Sequence, residues 1–367
     1  MRTLLYKCLT LTLLLVCFTA TAGDNGGGRK GKGKYTKEKT IKKEFNVNSD
    51  ALLKVKNSYG NLNITSWDQD NVMIEVHIIT NGNNEDKVKD RLNEINVDFE
   101  NSSSLVSAMT RFGDRGRNWG WNWGKRNNVS VKVNYTIKLP VKNSVHLSND
   151  YGNIYLNRID GHAKISCDYG KIEVGELRGR NNELSFDYTS RSTFEYINSA
   201  KISADYSGFT IEKAGDLTVS ADYTNSVVKE MGNLVYSSDY GSMEVGSVQN
   251  VSGNGDYIGI KLGRVYGNVD VTADYGSVKI EKMTEEAGNL DIRSDYTGIK
   301  VGYDDGYNFD FEITTEYAGV SGKDDFTINI SKEKSSEKYY KGYRGSQGSG
   351  NKVNIDSEYG GVSFYKN

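Results

Sequence analysis

Leu217-Thr218-Val219-Ser220-Ala221-Asp222-Tyr223 alternates apolar and polar side chains with a period of two. In an extended strand Leu217, Val219, Ala221 and Tyr223 share one face, while Thr218, Ser220 and Asp222 share the other. The same parity returns in residues 201–206 and 268–275. After each tyrosine a second alternating pair follows: Ile172/Val174, Met243/Val245, Val278/Ile280 and Ile299/Val301. The gap between the two patterns breaks the period, so the chain is expected to bend just past the tyrosine. Gly152, Gly170, Gly241, Gly276 and Gly360 stand at that position, consistent with a bend or a positive φ. Gly175, Gly246 and Gly302 are expected to make the return corner.

The unit recurs at Tyr59, Tyr151, Tyr169, Tyr188, Tyr206, Tyr223, Tyr240, Tyr257, Tyr275, Tyr296, Tyr317 and Tyr359. From Tyr151 to Tyr317 the spacings are 18, 19, 18, 17, 17, 17, 18, 21 and 21 residues, and the last is 42, twice 21. A period near twenty marks stacked units that bury their apolar faces only against their neighbours. The expected fold is all-β: a parallel β-solenoid (β-helix) with coils of 17–21 residues. Equivalent residues would stack about 4.8 Å apart, and the tyrosines would form an aromatic ladder.

An acidic residue precedes most of these tyrosines, among them Asp150, Asp168, Asp187, Asp205, Asp222, Asp239, Asp256, Asp274 and Asp295, then Glu316 and Glu358. Like charges one rung apart repel by about 0.9 kcal/mol even at the dielectric of water. Compensation is expected from each carboxylate capping its own bend in an Asx-type turn. The alternative is a row of bridging calcium ions, for which one carboxylate per rung supplies few ligands. No metal site and no cofactor are expected.

Residues 1–22 read as an export signal: Arg2 and Lys7, an apolar run, then Ala20-Thr21-Ala22. The protein is therefore expected in the periplasm, at the outer surface or secreted. Cys167 is the one cysteine beyond that signal, so no disulfide is expected, and Cys167 reads as a small buried hydrophobe. Three basic segments contrast with an acidic body: a Gly/Lys-rich linker at 23–43 with net charge +6, and insertions at 111–128 and 331–352, each +4. Such appendages suit either solubility or attachment to an anionic surface.

Residues 44–148 belong to the same β architecture with interruptions, and the repeat proper fills 149–367. Residues 84–97 read as a short capping helix with Val88, Leu92 and Ile95 on one face and Glu85 and Asp86 at its start. The segment 331–350 reads as a mobile basic finger. The Trp-rich insertion 111–128 is the candidate binding element: Trp119, Trp121 and Trp123 share a face when extended, beside Arg115, Arg117, Lys125 and Arg126. Flat aromatics with cations between them suit sugar rings, anionic glycans or a membrane interface. The competing expectation is a loop folded back on the β body or into a contact between copies.

Tyr59-Gly60-Asn61 in a strand, the turn Trp67-Asp68-Gln69-Asp70, a further strand, a short helix and then Asp-Tyr-Gly repeats form a specific succession. It resembles the putative adhesin family of bacterial envelope proteins, over essentially the whole chain beyond the signal. The resemblance implies a β-solenoid in the cell envelope. Its motifs are structural, so it carries over no catalytic residue.

Catalysis is not expected. His77, His146 and His162 are scattered, no nucleophile motif or phosphate loop appears, and coils this short build no cleft wall. Partners are expected to be a glycan or surface polymer, or envelope proteins, with peripheral membrane contact as a further option and no nucleic acid. A purely structural envelope scaffold and a polysaccharide-active β-helix enzyme remain the alternatives.

Overall fold

The computed structural model describes residues 33–113 and 129–367. The expected signal 1–22, the linker as far as residue 32 and most of the Trp-rich insertion lie outside the described residues. The protein is all-β, 69% strand with one helix, built on a long, mostly parallel, unclosed sheet.

Each repeat contributes one strand before its tyrosine and one after. Before the tyrosines, Ser144–Asp150 pairs in parallel with Ala163–Asp168, which pairs with Asn182–Asp187. After them, Ile154–Ile159 pairs with Ile172–Leu177, which pairs with Ser192–Asp205. Equivalent residues are in register, Asp150 beside Asp168 beside Asp187. Inward positions stack into apolar columns: Leu217, Val219, Ala221, Met243, Val245, Val278 and Ile280 are all buried. A buried aliphatic side chain contributes roughly 1.5–3 kcal/mol, repeated at every rung. Phe186 fits its column because its neighbours Cys167 and Ala204 are small.

The tyrosines depart from the parity of the sequence, which placed Tyr223 on the inward face with Leu217 and Val219. All twelve adopt left-handed backbone, with φ from 49° at Tyr296 to 63° at Tyr59. That conformation turns the side chain outward at the corner, leaving the rings 38–62% exposed. The glycine that follows is not in that region; of the two expectations for it, the bend is found at Gly152, Gly170 and Gly276 and the positive φ is not. Gly152 is required for space: a Cβ there would lie 1.8 Å from the Gly60 carbonyl oxygen, and one at Gly170 would lie 2.1 Å from that of Gly152.

Antiparallel strands close both ends of the parallel stack. At the first, Tyr35–Asn46 pairs with Asn71–Gly82, which pairs with Ser130–Pro140. The linker expected at 23–43 is therefore strand from Tyr35 onward, its lysines tied down in pairs such as Lys37–Glu85 and Lys42–Glu75. The helix is Glu85–Glu94, with the Asn84 side chain accepting from the Lys87 amide. It lies against these strands, and the Thr80 hydroxyl donates to the Val88 carbonyl at 2.9 Å. It stops short of the expected Val97 because Ile95–Asn101 pairs antiparallel with Leu105–Phe112, and a ladder of backbone hydrogen bonds outweighs one more helical turn.

At the other end the expected mobile finger 331–350 is mostly an ordered hairpin, Phe326–Glu333 against Glu337–Arg344. Its second strand pairs antiparallel with Phe309–Glu316. Arg344 anchors it: buried, it donates to the Asp305 and Tyr307 carbonyls at 2.6 and 3.0 Å and to the Asp305 carboxylate at 2.8 Å. The doubled spacing of 42 residues is thus not a missing coil. The hairpin occupies it, and the chain then returns to insert Lys352–Glu358 between Leu290–Asp295 and Phe309–Glu316.

Candidate functional site

The tyrosine corner is the most regular surface of the molecule. Eleven consecutive ring pairs, from Tyr59–Tyr151 to Tyr359–Tyr317, stack with centroids 4.6–5.3 Å apart and planes within 8°. The backbone holds the row: each tyrosine amide except that of Tyr317, which donates to Ser336, donates to the acidic residue's carbonyl on the next rung, as Tyr223 does to Asp239 at 2.9 Å. Because the ring faces cover one another, the row offers edges and hydroxyls rather than open faces.

The acidic row runs beside it. The expected Asx-type caps are replaced by bonds between rungs: the Asp205 amide donates to the Asp187 carboxylate, Asp222 to Asp205, Asp239 to Asp222 and Asp256 to Asp239, at 2.9–3.2 Å. In-register stacking brings the next rung's amide closer than the chain's own bend. These acids form no ion pair with a described cation, and two of them, Asp256 and Glu358, have raised pKa values. Desolvation, then Asp239 and Asp274, raise the Asp256 carboxyl above its ordinary pKa, and Asp295 above all raises that of Glu358. Among the described residues no group of three or more His, Cys, Asp or Glu is placed to hold a metal ion.

Trp119, Trp121, Trp123, Arg115, Arg117, Lys125 and Arg126 lie outside the described residues. The stem of their insertion is described, and it meets the end of the tyrosine row. Phe112 packs edge-on against Tyr59 at 5.7 Å, Arg91 lies over Phe112 at 5.6 Å, and Arg111 bonds Asp98 at 2.8 Å.

The groups that could do chemistry are apart. His77 bonds Glu38 at 2.6 Å on the antiparallel strands. His146 and His162 meet edge-on, 6.2 Å apart, on adjacent rungs, and burial, then His162, lower the His146 pKa. Cys167 is buried, its thiol pushed up to about 12 mainly by desolvation.

One feature escaped the sequence reading. Lys261, Lys279 and Lys300 each stand four residues past a tyrosine, and the register sets them side by side on consecutive rungs. Other facing pairs carry opposite charges, as in Lys213–Glu230 and Lys164–Glu183. The common offset from the tyrosine was the available signal. The last two lysines border an open trough of about 650 Å³, which also takes in Ser277, Gly298, Gly361 and Gly319.

No family model matches the chain, and no curated protein does. Among solved structures it is similar to a putative cell adhesion protein from Clostridium sporogenes, at 12% identity over 90% of this chain and 100% of that one, with a TM-score of 0.19. It is similar also to putative adhesins from Parabacteroides merdae (13% identity, 74% and 98% covered, TM-score 0.30) and Parabacteroides distasonis (12%, 91% and 98%, 0.29). These descriptions agree in kind with the family the motifs resemble, but at such TM-scores the likeness carries no argument about this chain.

Proposed function

We propose that the protein is a non-catalytic, exported, adhesin-like β-solenoid that holds basic aromatic segments out to a polymer of the bacterial cell surface. The observation that carries this reading is the unbroken in-register tyrosine row from Tyr59 to Tyr317. Twelve rungs at about 4.8 Å make a rod of roughly 50 Å, and one end of the row meets the stem of the Trp-rich insertion through Phe112. Coils of 17–21 residues leave little chain to wall a cleft, which favours binding over turnover. Antiparallel strands at both ends weigh against a scaffold that grows by end-to-end stacking.

The test is a pull-down on envelope polysaccharide, comparing the exported chain with a W119A/W121A/W123A variant. Strong retention of the first and loss of the second is the expected result. Equal weak retention of both would remove the Trp-rich insertion as the binding element.

A further inference from the structure

We infer that the trough beside Lys279 and Lys300 is a second binding site, for one extended segment of an acidic polysaccharide lying along the rungs. The inference rests on the reading of the protein as a binder of surface polymer, and it names both a different site and a ligand class.

Charge carries the argument. Lys261, Lys279 and Lys300 are neighbours in register, an arrangement in which like charges repel. Lys261 is neutralised by Glu244 and Lys279 by Glu281, both at 2.7 Å. Lys300 has no ion pair with any described residue. A third cation arrives from the hairpin: the Lys338 ammonium lies 3.8 Å from where a Cβ of Gly319 would stand, and it too has no described acidic partner. On a chain that is acidic overall, one uncompensated lysine thus lines the cavity and a second lies near Gly319, one of its lining residues.

The shape suits a chain rather than a point ligand. Gly298 and Gly361 would meet nothing within 4 Å if they carried a Cβ, so the floor is open backbone across several rungs, and its volume is that of a ligand site. The in-register strands make it run along the stack, crossing Ile299, Val362 and Val320. Ser277, Ser321 and Ser363 are among its lining residues, small and polar enough for a hydroxyl-rich polymer. A single-stranded nucleic acid would need free aromatic faces for its bases, whereas Tyr296, Tyr359 and Tyr317 cover one another at 4.6–4.8 Å.

Titration of polygalacturonate into the exported chain tests this, with neutral dextran and polyphosphate as the other arms. A W119A/W121A/W123A background removes any contribution of the insertion. In that background polygalacturonate is expected to bind and dextran not. Lys300→Glu should weaken binding at least tenfold, and so should Gly298→Leu with Gly361→Leu, which fills the floor at positions with room for a side chain. Undiminished binding in folded forms of both variants would overturn the site, as would equal binding of dextran or tighter binding of polyphosphate. Binding by wild type that vanishes in the triple-Trp background removes the trough but keeps the proposed function. No binding by wild type at all removes the acidic-glycan inference and leaves that function to its own pull-down.

Discussion

Tyr296 stacks on Tyr359, ring centroids 4.6 Å apart and planes within 3°, although a hairpin and a whole rung separate them in sequence. Tyr359 in turn stacks on Tyr317 at 4.8 Å. The last segment of the chain therefore locks between two rungs laid down before it. Backbone bonds from Tyr296 to Glu358 and from Tyr359 to Glu316, both 2.9 Å, close the insertion on either side. Phe364 of this segment, nearly fully buried, packs on Phe326 of the hairpin at 5.1 Å. Phe364→Ala should cost about 3–5 kcal/mol and loosen the hairpin with it. Urea denaturation together with hydrogen exchange at residues 326–344 checks both; unchanged protection of the hairpin would contradict the lock.

Glycines of the repeat separate into two kinds. Gly152→Ala pushes a methyl into the Gly60 carbonyl and should destabilise by about 1–3 kcal/mol. Gly298→Ala meets open space and should stay within about 0.5 kcal/mol of wild type. Paired denaturation curves decide, and equal effects would mean that close approach does not explain the glycine after the tyrosine.

The tyrosine row should show pairwise coupling. A double-mutant cycle on Tyr206 and Tyr223, whose rings are 4.8 Å apart and parallel, is expected to give about 0.5–1.5 kcal/mol. Since Tyr223 has φ of 52°, Tyr223→Val should also be worse than Tyr223→Asn, because a branched Cβ resists left-handed backbone.

Desolvation, with repulsion from Asp239 and Asp274, makes a pH-dependent prediction at Asp256. The folded-state pKa of Asp256 is raised, so the fold binds its proton more tightly than the unfolded chain does. Ionised Asp256 therefore destabilises above the raised folded value, and the penalty disappears as pH falls through it toward the ordinary aspartate pKa of about 3.9. Asp256→Asn should raise the melting temperature near neutral pH. The gain should shrink in high salt, since the group is exposed, and vanish in acid. A gain that persists in acid would assign the effect to something other than charge.

Arg344 should be irreplaceable by lysine. Its guanidinium serves two backbone carbonyls and the Asp305 and Asp325 carboxylates and lies 5.0 Å from the Tyr303 ring. One ammonium cannot span that set. Arg344→Lys and Arg344→Met should each cost about 2–3 kcal/mol, read from chemical denaturation, and a neutral Arg344→Lys would show that the fork geometry is unnecessary.

Much of this architecture was legible because a repeat states its own rule many times over. The strands, the apolar columns of Leu217, Val219 and Ile280, the buried Cys167 and the stacking of equivalent tyrosines all follow from alternation plus a fixed offset. Features that depend on a neighbouring rung were not legible. The parity of Tyr223 failed because a left-handed corner reverses it. The acids bond the rung beside them rather than their own bend, and the lysine column emerges only once Lys261, Lys279 and Lys300 are set in register. The helix lost its last residues to the pairing of Ile95–Asn101.

The residues alone determined the period, the side of each strand that is buried, and the places where the chain turns, because these arise between side chains a few positions apart. Only the tertiary structure decided the order of the final rungs, the antiparallel ends and the alignment of Lys261, Lys279 and Lys300. Those depend on which distant strand edge gains hydrogen bonds by accepting a newcomer, an energy no local pattern records.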